Sequence, residues 1–242
     1  MSKYIAFDVN ETLLDLAALD PLFERDFGAS VVRKEWFSRV LQLAFVTTIT
    51  GKYSDFSAIG KAALQAIEEI HHRPLSPPQR QQILDGMAKL PAHSDVSDSL
   101  GRLQQAGAHM VALTNSTAEK AELQLTNAGL RPYFLQVLSA DSVRRLKPAP
   151  EPYQMAAREL GITTSSLTLV AAHAWDIAGA ASAGCETAFL ARHGQVLDAL
   201  TPKPNFVASD LRDLADHLVR AQSDVAYRRA GLGNSFYASR RL

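Results

Sequence analysis

The chain of 242 residues holds one cysteine, Cys185, so no internal disulfide can staple it. That thiol falls in the run Ala183, Gly184, Cys185, Glu186, which reads as a helix-to-strand turn, and a packing role is expected for it. Neither sign of charge is in excess: 25 Lys and Arg face 25 Asp and Glu. This balance removes the electrostatic footprint expected of a protein that grips nucleic acid or an anionic membrane, and a small molecule is the expected partner. No stretch approaches the roughly 18 uninterrupted apolar residues of a membrane span. The first residues also lack the basic-then-apolar order of an export signal, so a cytoplasmic protein is expected. Internal repeats and low-complexity tracts are absent as well.

What is present is an alternation of strand and helix periods. A short apolar run, Tyr4, Ile5, Ala6, Phe7, reads as a first buried strand. From about residue 15 to 90 the periodicity is helical, clearest in Phe37, Val40, Leu41, Ala44, Phe45 and again in Ile59, Ala62, Ala63, Ala66, Ile67, Ile70. Pro74, Pro77 and Pro78 interrupt it, with a helix start expected near Gln79. Beyond Pro91 come strands near 109–114, 136–140, 167–172 and 187–191, with helices near 96–105, 118–127, 151–160 and 177–183 between and around them. Such alternation predicts an α/β fold: a doubly wound parallel sheet with helices on both faces and a helical insert after the first strand. The expected division is a core of residues 1–14 and 91–220, a helical cap of 15–90, and a loosely docked tail of 221–242.

Carboxylate, hydroxyl, amide and ammonium groups then recur at the ends of the expected strands, where open α/β sheets collect ligands. Asp8 follows the first strand, Thr114 and Asn115 end the next, Lys147 precedes Pro148, and Asp176 opens a helix after the run Val170, Ala171, Ala172, His173, Ala174, Trp175. A carboxylate at the first of these edges is a candidate nucleophile, able to form an ester or acyl phosphate that water then cleaves. It must stay ionised although partly buried, which a nearby ammonium favours; Lys147 is the candidate. Thr114 and Asn115 offer a hydroxyl, an amide and backbone N–H groups to a carboxylate or oxyanion. Asp8, Asp176 and the Thr114 and Asn115 pair could instead cap helices, and Lys147 could be a surface lysine in a loop.

In chain order these segments resemble the four motifs of the haloacid dehalogenase-like superfamily, and their wording is most similar to the L-2-haloacid dehalogenases. The resemblance runs from Lys3 to about Leu218. It implies a Rossmann-like core with a helical cap, and hydrolytic removal of halogen from a short 2-haloalkanoic acid through an aspartyl ester on Asp8, with inversion at the reacting carbon. Lys147 and Asp176 would be the other catalytic residues. Thr12, Asn10, Thr114, Asn115 and Tyr153 would position substrate or nucleophile, with Trp175 and Phe37 as pocket wall. The caps of such proteins often take part in dimerisation, so a homodimer is an open expectation.

Reaction type is argued from two positions. Superfamily phosphatases carry a second Asp two residues after the nucleophile; here Asn10, an amide, cannot protonate a leaving alkoxide. Those enzymes also hold Mg²⁺ through an acidic residue where this chain has Ala172, which offers no oxygen ligand. Halide departs without a proton, so a reaction without metal or other cofactor is expected. Several departures mark the chain within the dehalogenases: Asn10 stands for Tyr and Ala171 and Ala172 for Ser, and three more bear on the pocket. Phe37 stands where the family places a halide-gripping arginine, with Arg33 one helical turn earlier as its possible replacement; Glu11 stands for Gly; and His173 stands for Asn, either binding substrate carboxylate, helping to activate water, or simply closing a strand end. A phosphatase of the same superfamily and a small-acid binding protein without turnover are the alternatives.

Overall fold

The computed structural model describes residues 3–219; the expected tail, 221–242, lies outside them. Six parallel strands form one sheet: β1 (Tyr4–Phe7), β2 (His109–Thr114), β3 (Gln136–Ser139), β4 (Leu167–Ala171), β5 (Glu186–Leu190) and β6 (Phe206–Ala208), in the order β3-β2-β1-β4-β5-β6. The order reverses at β1, whose neighbours β2 and β4 lead away from it in opposite directions. A crevice opens at such a switch point beyond the carboxyl ends of the two strands.

Side chains of a strand alternate between faces, and two apolar clusters follow from that. Ile5 and Phe7 point into one with Leu100, Leu103 and Leu125, while Ala6 points into the other with Tyr153, Ala156 and Ile177. These partners come from α5 (Val96–Gln105) and α6 (Ala118–Asn127) on the first face, and from α7 (Pro150–Glu159) and α8 (Ala174–Ser182) on the second. The sheet is therefore covered on both sides, as near-continuous apolar strands require. β6 escaped the sequence pattern because it is a three-residue edge strand beside Pro202 and Pro204.

Between β1 and α5 lie α1 (Asp20–Phe27), α2 (Val32–Thr50), α3 (Phe56–Ile70) and α4 (Pro77–Gly86). Val32, Trp36, Phe37, Val40 and Ala44 are the buried stripe of α2, at the three- and four-residue spacing of one helix face. α3 begins at Asp55, whose carboxylate accepts from the N–H groups of Ser57 and Ala58 at 2.9 Å each. α4 begins two residues before Gln79, because prolines fit the first turn of a helix, and Gln79 Oε1 accepts from Ser76 N at 2.9 Å. Trp36 Nε1 donates to Gly60 O across α2 and α3 at 3.1 Å. The apolar cluster on the first face of the sheet continues without a break into these helices.

Candidate active site

Asp8 ends β1 at the switch point, 5 % exposed. The chain turns immediately: Leu13 N and Leu14 N both return to Val9 O, at 2.9 and 3.0 Å, and Glu11 adopts a left-handed φ of 60°. This turn aims Thr12 back at the strand end, where its hydroxyl donates to Asp8 Oδ2 at 2.7 Å and accepts from Ala172 N at 3.0 Å. Arg192 holds the turn from outside, donating to Thr12 O at 3.0 and 3.1 Å while gripping Asp95 through two 2.8 Å bonds.

Lys147 reaches the other carboxylate oxygen. It is fully buried, and its three ammonium protons are all placed: on Asp8 Oδ1 at 2.9 Å, on Leu113 O at 3.0 Å and on Asp176 Oδ2 at 2.5 Å. Asn115 spends its amide on the backbone of this lysine, accepting from Lys147 N at 2.8 Å and donating to Lys147 O at 3.2 Å. Asp176 lies in the first turn of α8, which starts at Ala174, three residues earlier than the sequence pattern indicated. Its second oxygen accepts from Tyr153 Oη at 2.5 Å. Tyr153 and Asp176 thus stand behind Lys147, away from the space in front of Asp8.

His173, the residue just before α8, fills the remaining side. Nδ1 lies 3.3 Å from Asp8 Oδ2 and Nε2 lies 2.8 Å from Glu11 Oε2. The ring stacks on Trp175 at 5.2 Å between centroids and packs against Phe37 at 6.4 Å. Arg33 extends this chain of charges: 4 % exposed, it pairs with Asp20 and lies 3.6 Å from Glu11 Oε1.

The charges set one another. Burial alone would raise the carboxyl of Asp8, but the Lys147 ammonium and the His173 imidazole together hold it well below the usual carboxylate range. Burial would lower His173, yet its bonds to Asp8 and Glu11 push it up to about 9. Lys147 likewise rises against its burial because Asp176 and Asp8 both face it. Burial, then Asp176, keeps Tyr153 protonated as a donor. The resting site is an ionised carboxylate between two cations.

A cavity of about 10 Å³ remains in front of Asp8, enough for one water at most. Asn10, Thr114, Asn115, Lys147, His173, Trp175 and Phe37 border it, so eight of the eleven candidate residues, Asp8 included, meet there. Thr12, Tyr153 and Asp176 act from behind. Asn10 Oδ1 accepts from Gln124 at 3.1 Å, and Thr114 Oγ1 accepts from Ser116 N at 3.1 Å. Phe37 also walls two larger spaces, an apolar one of about 160 Å³ between α2, α3 and α6 and one of about 810 Å³ beside Arg33, Arg192 and His173. Sequence reasoning passed over Arg192, Asp95 and Gln124, and marked Glu11 only as a departure from the family's glycine. Glu11 carried a signal, an acidic residue directly after the amide Asn10 in a tight turn, whereas the other three are brought in from distant elements. Among the described residues, no three His, Cys, Asp or Glu side chains converge as a set of metal ligands.

The sequence model for haloacid dehalogenase-like hydrolases matches residues 3–184. The chain belongs to this family. Within it, the (S)-2-haloacid dehalogenase of Pseudomonas sp. (strain YL) is 27 % identical over 216 residues, 88 % of this chain and 93 % of the relative. The L-2-haloacid dehalogenase structure from Xanthobacter autotrophicus superposes with a TM-score of 0.84 at 24 % identity, covering 91 % of this chain and 99 % of the other, and so shares the fold. A dehalogenase solved with an intermediate complex superposes with a TM-score of 0.84 at 25 % identity, covering 89 % and 96 %. This family member keeps Asp8, Thr12, Lys147 and Asp176 in one bonded network, and it differs from the family's wording in the side chains that face them.

Proposed function

We propose that the protein hydrolyses short 2-haloalkanoic acids to 2-hydroxy acids. One observation carries this: Asp8, at the switch point of the sheet, is kept ionised by Lys147 while Thr12 fixes the second oxygen, as an attacking carboxylate needs. An Asp8 oxygen attacks the carbon bearing halogen from behind; halide leaves with the bonding pair, and water cleaves the resulting ester at Cγ. Lys147 holds the nucleophile and, later, the developing oxyanion at Cγ. Asp176, tied to Tyr153, fixes the ammonium. Asn10, Thr114, Trp175 and Phe37 surround the substrate. No metal is assigned: position 172 is Ala, whose side chain offers no oxygen ligand.

The same proposal divides the chain into a core of residues 1–14 and 91–220 and a helical cap of 15–90 that closes over Asp8 with Phe37, Leu41 and Phe56. It sets the enzyme in the cytoplasm; among the described residues no helix is long and apolar enough to cross a membrane. It also pairs two copies through α2, where Val46 and Ile49 are exposed, a state that light scattering on the eluted protein measures.

The test is halide release from chloro-, bromo- and fluoroacetate and from both enantiomers of 2-chloropropionate, with EDTA present. Release is expected from at least one of these acids and is expected to vanish in Asp8→Asn. Release that survives the substitution overturns the assignment of Asp8. Silence across the panel turns to a small-acid binding protein without turnover, which the phenyl ring in place of the cap arginine favours.

A further inference from the structure

Cleaving the ester needs a base for the attacking water and a proton for the departing alkoxide. Lys147 cannot be the base, since its three ammonium protons are all bonded. Asp176 has one oxygen on Lys147 and the other on Tyr153, and it does not reach the cavity. Asn10 is an amide, with no proton to exchange. The group that does face the nucleophile is an imidazole. Its Nδ1 lies 3.3 Å from Asp8 Oδ2, and its Nε2 lies 2.8 Å from a second carboxylate, Glu11. A carboxylate on one ring nitrogen and the reacting group on the other hold an imidazole in one tautomer and stabilise its cation. Glu11 adds an independent observation. It sits at φ 60°, where glycine is relaxed and a larger residue is not, and its side chain is spent on His173, Arg33 and Gln195.

We propose that His173, oriented by Glu11, is the general base and then the general acid for hydrolysis of the ester on Asp8. The inference rests on the dehalogenase function proposed above and names a further catalytic residue for it.

In the resting enzyme His173 is a cation between two carboxylates. Formation of the C–O bond expels halide and converts Asp8 to a neutral ester, so His173 loses one of its two counter-charges. Its Nδ1 proton then leaves to solvent through the cavity of about 810 Å³ that the ring borders. This is the proton set free when a haloacid and water become a hydroxy acid and halide. Water next gives a proton to Nδ1 as its oxygen adds to Cγ. When the tetrahedral intermediate collapses, the bond from Cγ to the substrate oxygen breaks and the alkoxide takes that proton. The new carboxyl proton of Asp8 passes to Nδ1, and the resting ion pair returns. The charged and titratable groups that tune this step are Asp8 and Glu11 on the ring itself, Lys147 behind Asp8, Arg33 from α2 beside Glu11, and His93, whose Nε2 lies 3.2 Å from Glu11 O.

The experiment follows halide, hydroxy acid and protein-bound ester together, by rapid quench and intact mass, in the full chain with a haloacid that the parent turns over. In the parent, hydroxy acid is expected to keep pace with halide. In His173→Gln and His173→Asn, halide should appear as a burst of about one per chain, with the ester accumulating. Steady turnover should fall by about 100-fold or more, and the acid limb of the kcat profile against pH should disappear. Glu11→Gln should move that limb to lower pH, because it removes the carboxylate that favours the imidazolium. Turnover in the His173 variants without accumulated ester, at whatever rate, overturns the inference while leaving the dehalogenase function standing. A parent that releases no halide removes both.

Discussion

Lys147 sits fully buried between Asp8 and Asp176, and one ammonium neutralises two carboxylates. Removing one partner of a buried ionic group leaves the others uncompensated, at a typical cost of about 3–5 kcal/mol. Lys147→Met is therefore expected to lose halide release and to unfold in urea with a stability lower by that amount; a loss below about 1 kcal/mol would show that the network does not depend on its cation. His173 and Asp8 give opposite pH dependences. The folded value of His173 is raised to about 9, so its stabilisation is full below the unfolded value of roughly 6.5 and is lost as pH rises through about 9. Between pH 6 and 9 the loss should be on the order of 3 kcal/mol, and His173→Asn should lack it. Identical urea profiles for parent and variant would contradict this. Asp8 is depressed in the folded state, so its contribution is present above roughly pH 4 and drains away as pH falls further.

Helix α8 approaches the Lys147 loop through Gly179. A Cβ there would lie 2.6 Å from Pro148 Cβ and 2.7 Å from Tyr153 Oη, so only a bare backbone lets the helix deliver Asp176 to the lysine. Gly179→Ala is expected to destabilise the protein by about 1–3 kcal/mol through overpacking. It should also lower kcat by displacing Tyr153 from Asp176, and a variant as active and as stable as the parent would refute this. Helix α3 presents a simpler case. Asp55 accepts two N–H groups at its start, so Asp55→Ala should cost about 1 kcal/mol of stability without touching the chemistry. The strand edges and capping glycines were legible from the chain because they depend on residues close in sequence: Gly107, Gly129, Gly161 and Gly184 all take positive φ past helix ends. The start of α8 was not, since Ala174 and Trp175 carry no start signal of their own and His173 occupies the preceding position through its tertiary bonds.

Across the molecule, the space before Asp8 holds about 10 Å³ and its roof is Phe37, Leu41 and Phe56 from the inserted helices. Even a haloacetate exceeds a space of one water, so binding has to move that roof. A saturating short 2-hydroxy acid, the reaction product, is expected to slow amide exchange along α2 and to change the emission of Trp175, whose ring borders the same space. A bound acid that leaves both signals untouched would mean that it enters without displacing the helices.

The sequence by itself determined the α/β alternation, the position of the helical insert and the family, because periodicity, breakers and motif order are local properties. It also placed Asp8, Lys147 and Asp176 on chemistry-bearing edges. Only the tertiary structure decided which groups touch. Asn115 and Tyr153 turned out to bond to Lys147 and Asp176, and Glu11 and His173, 162 positions apart, closed into one hydrogen-bonded pair beside Asp8. Such pairings depend on how parallel strands at a switch point bring distant loops together, and no local pattern encodes that distance.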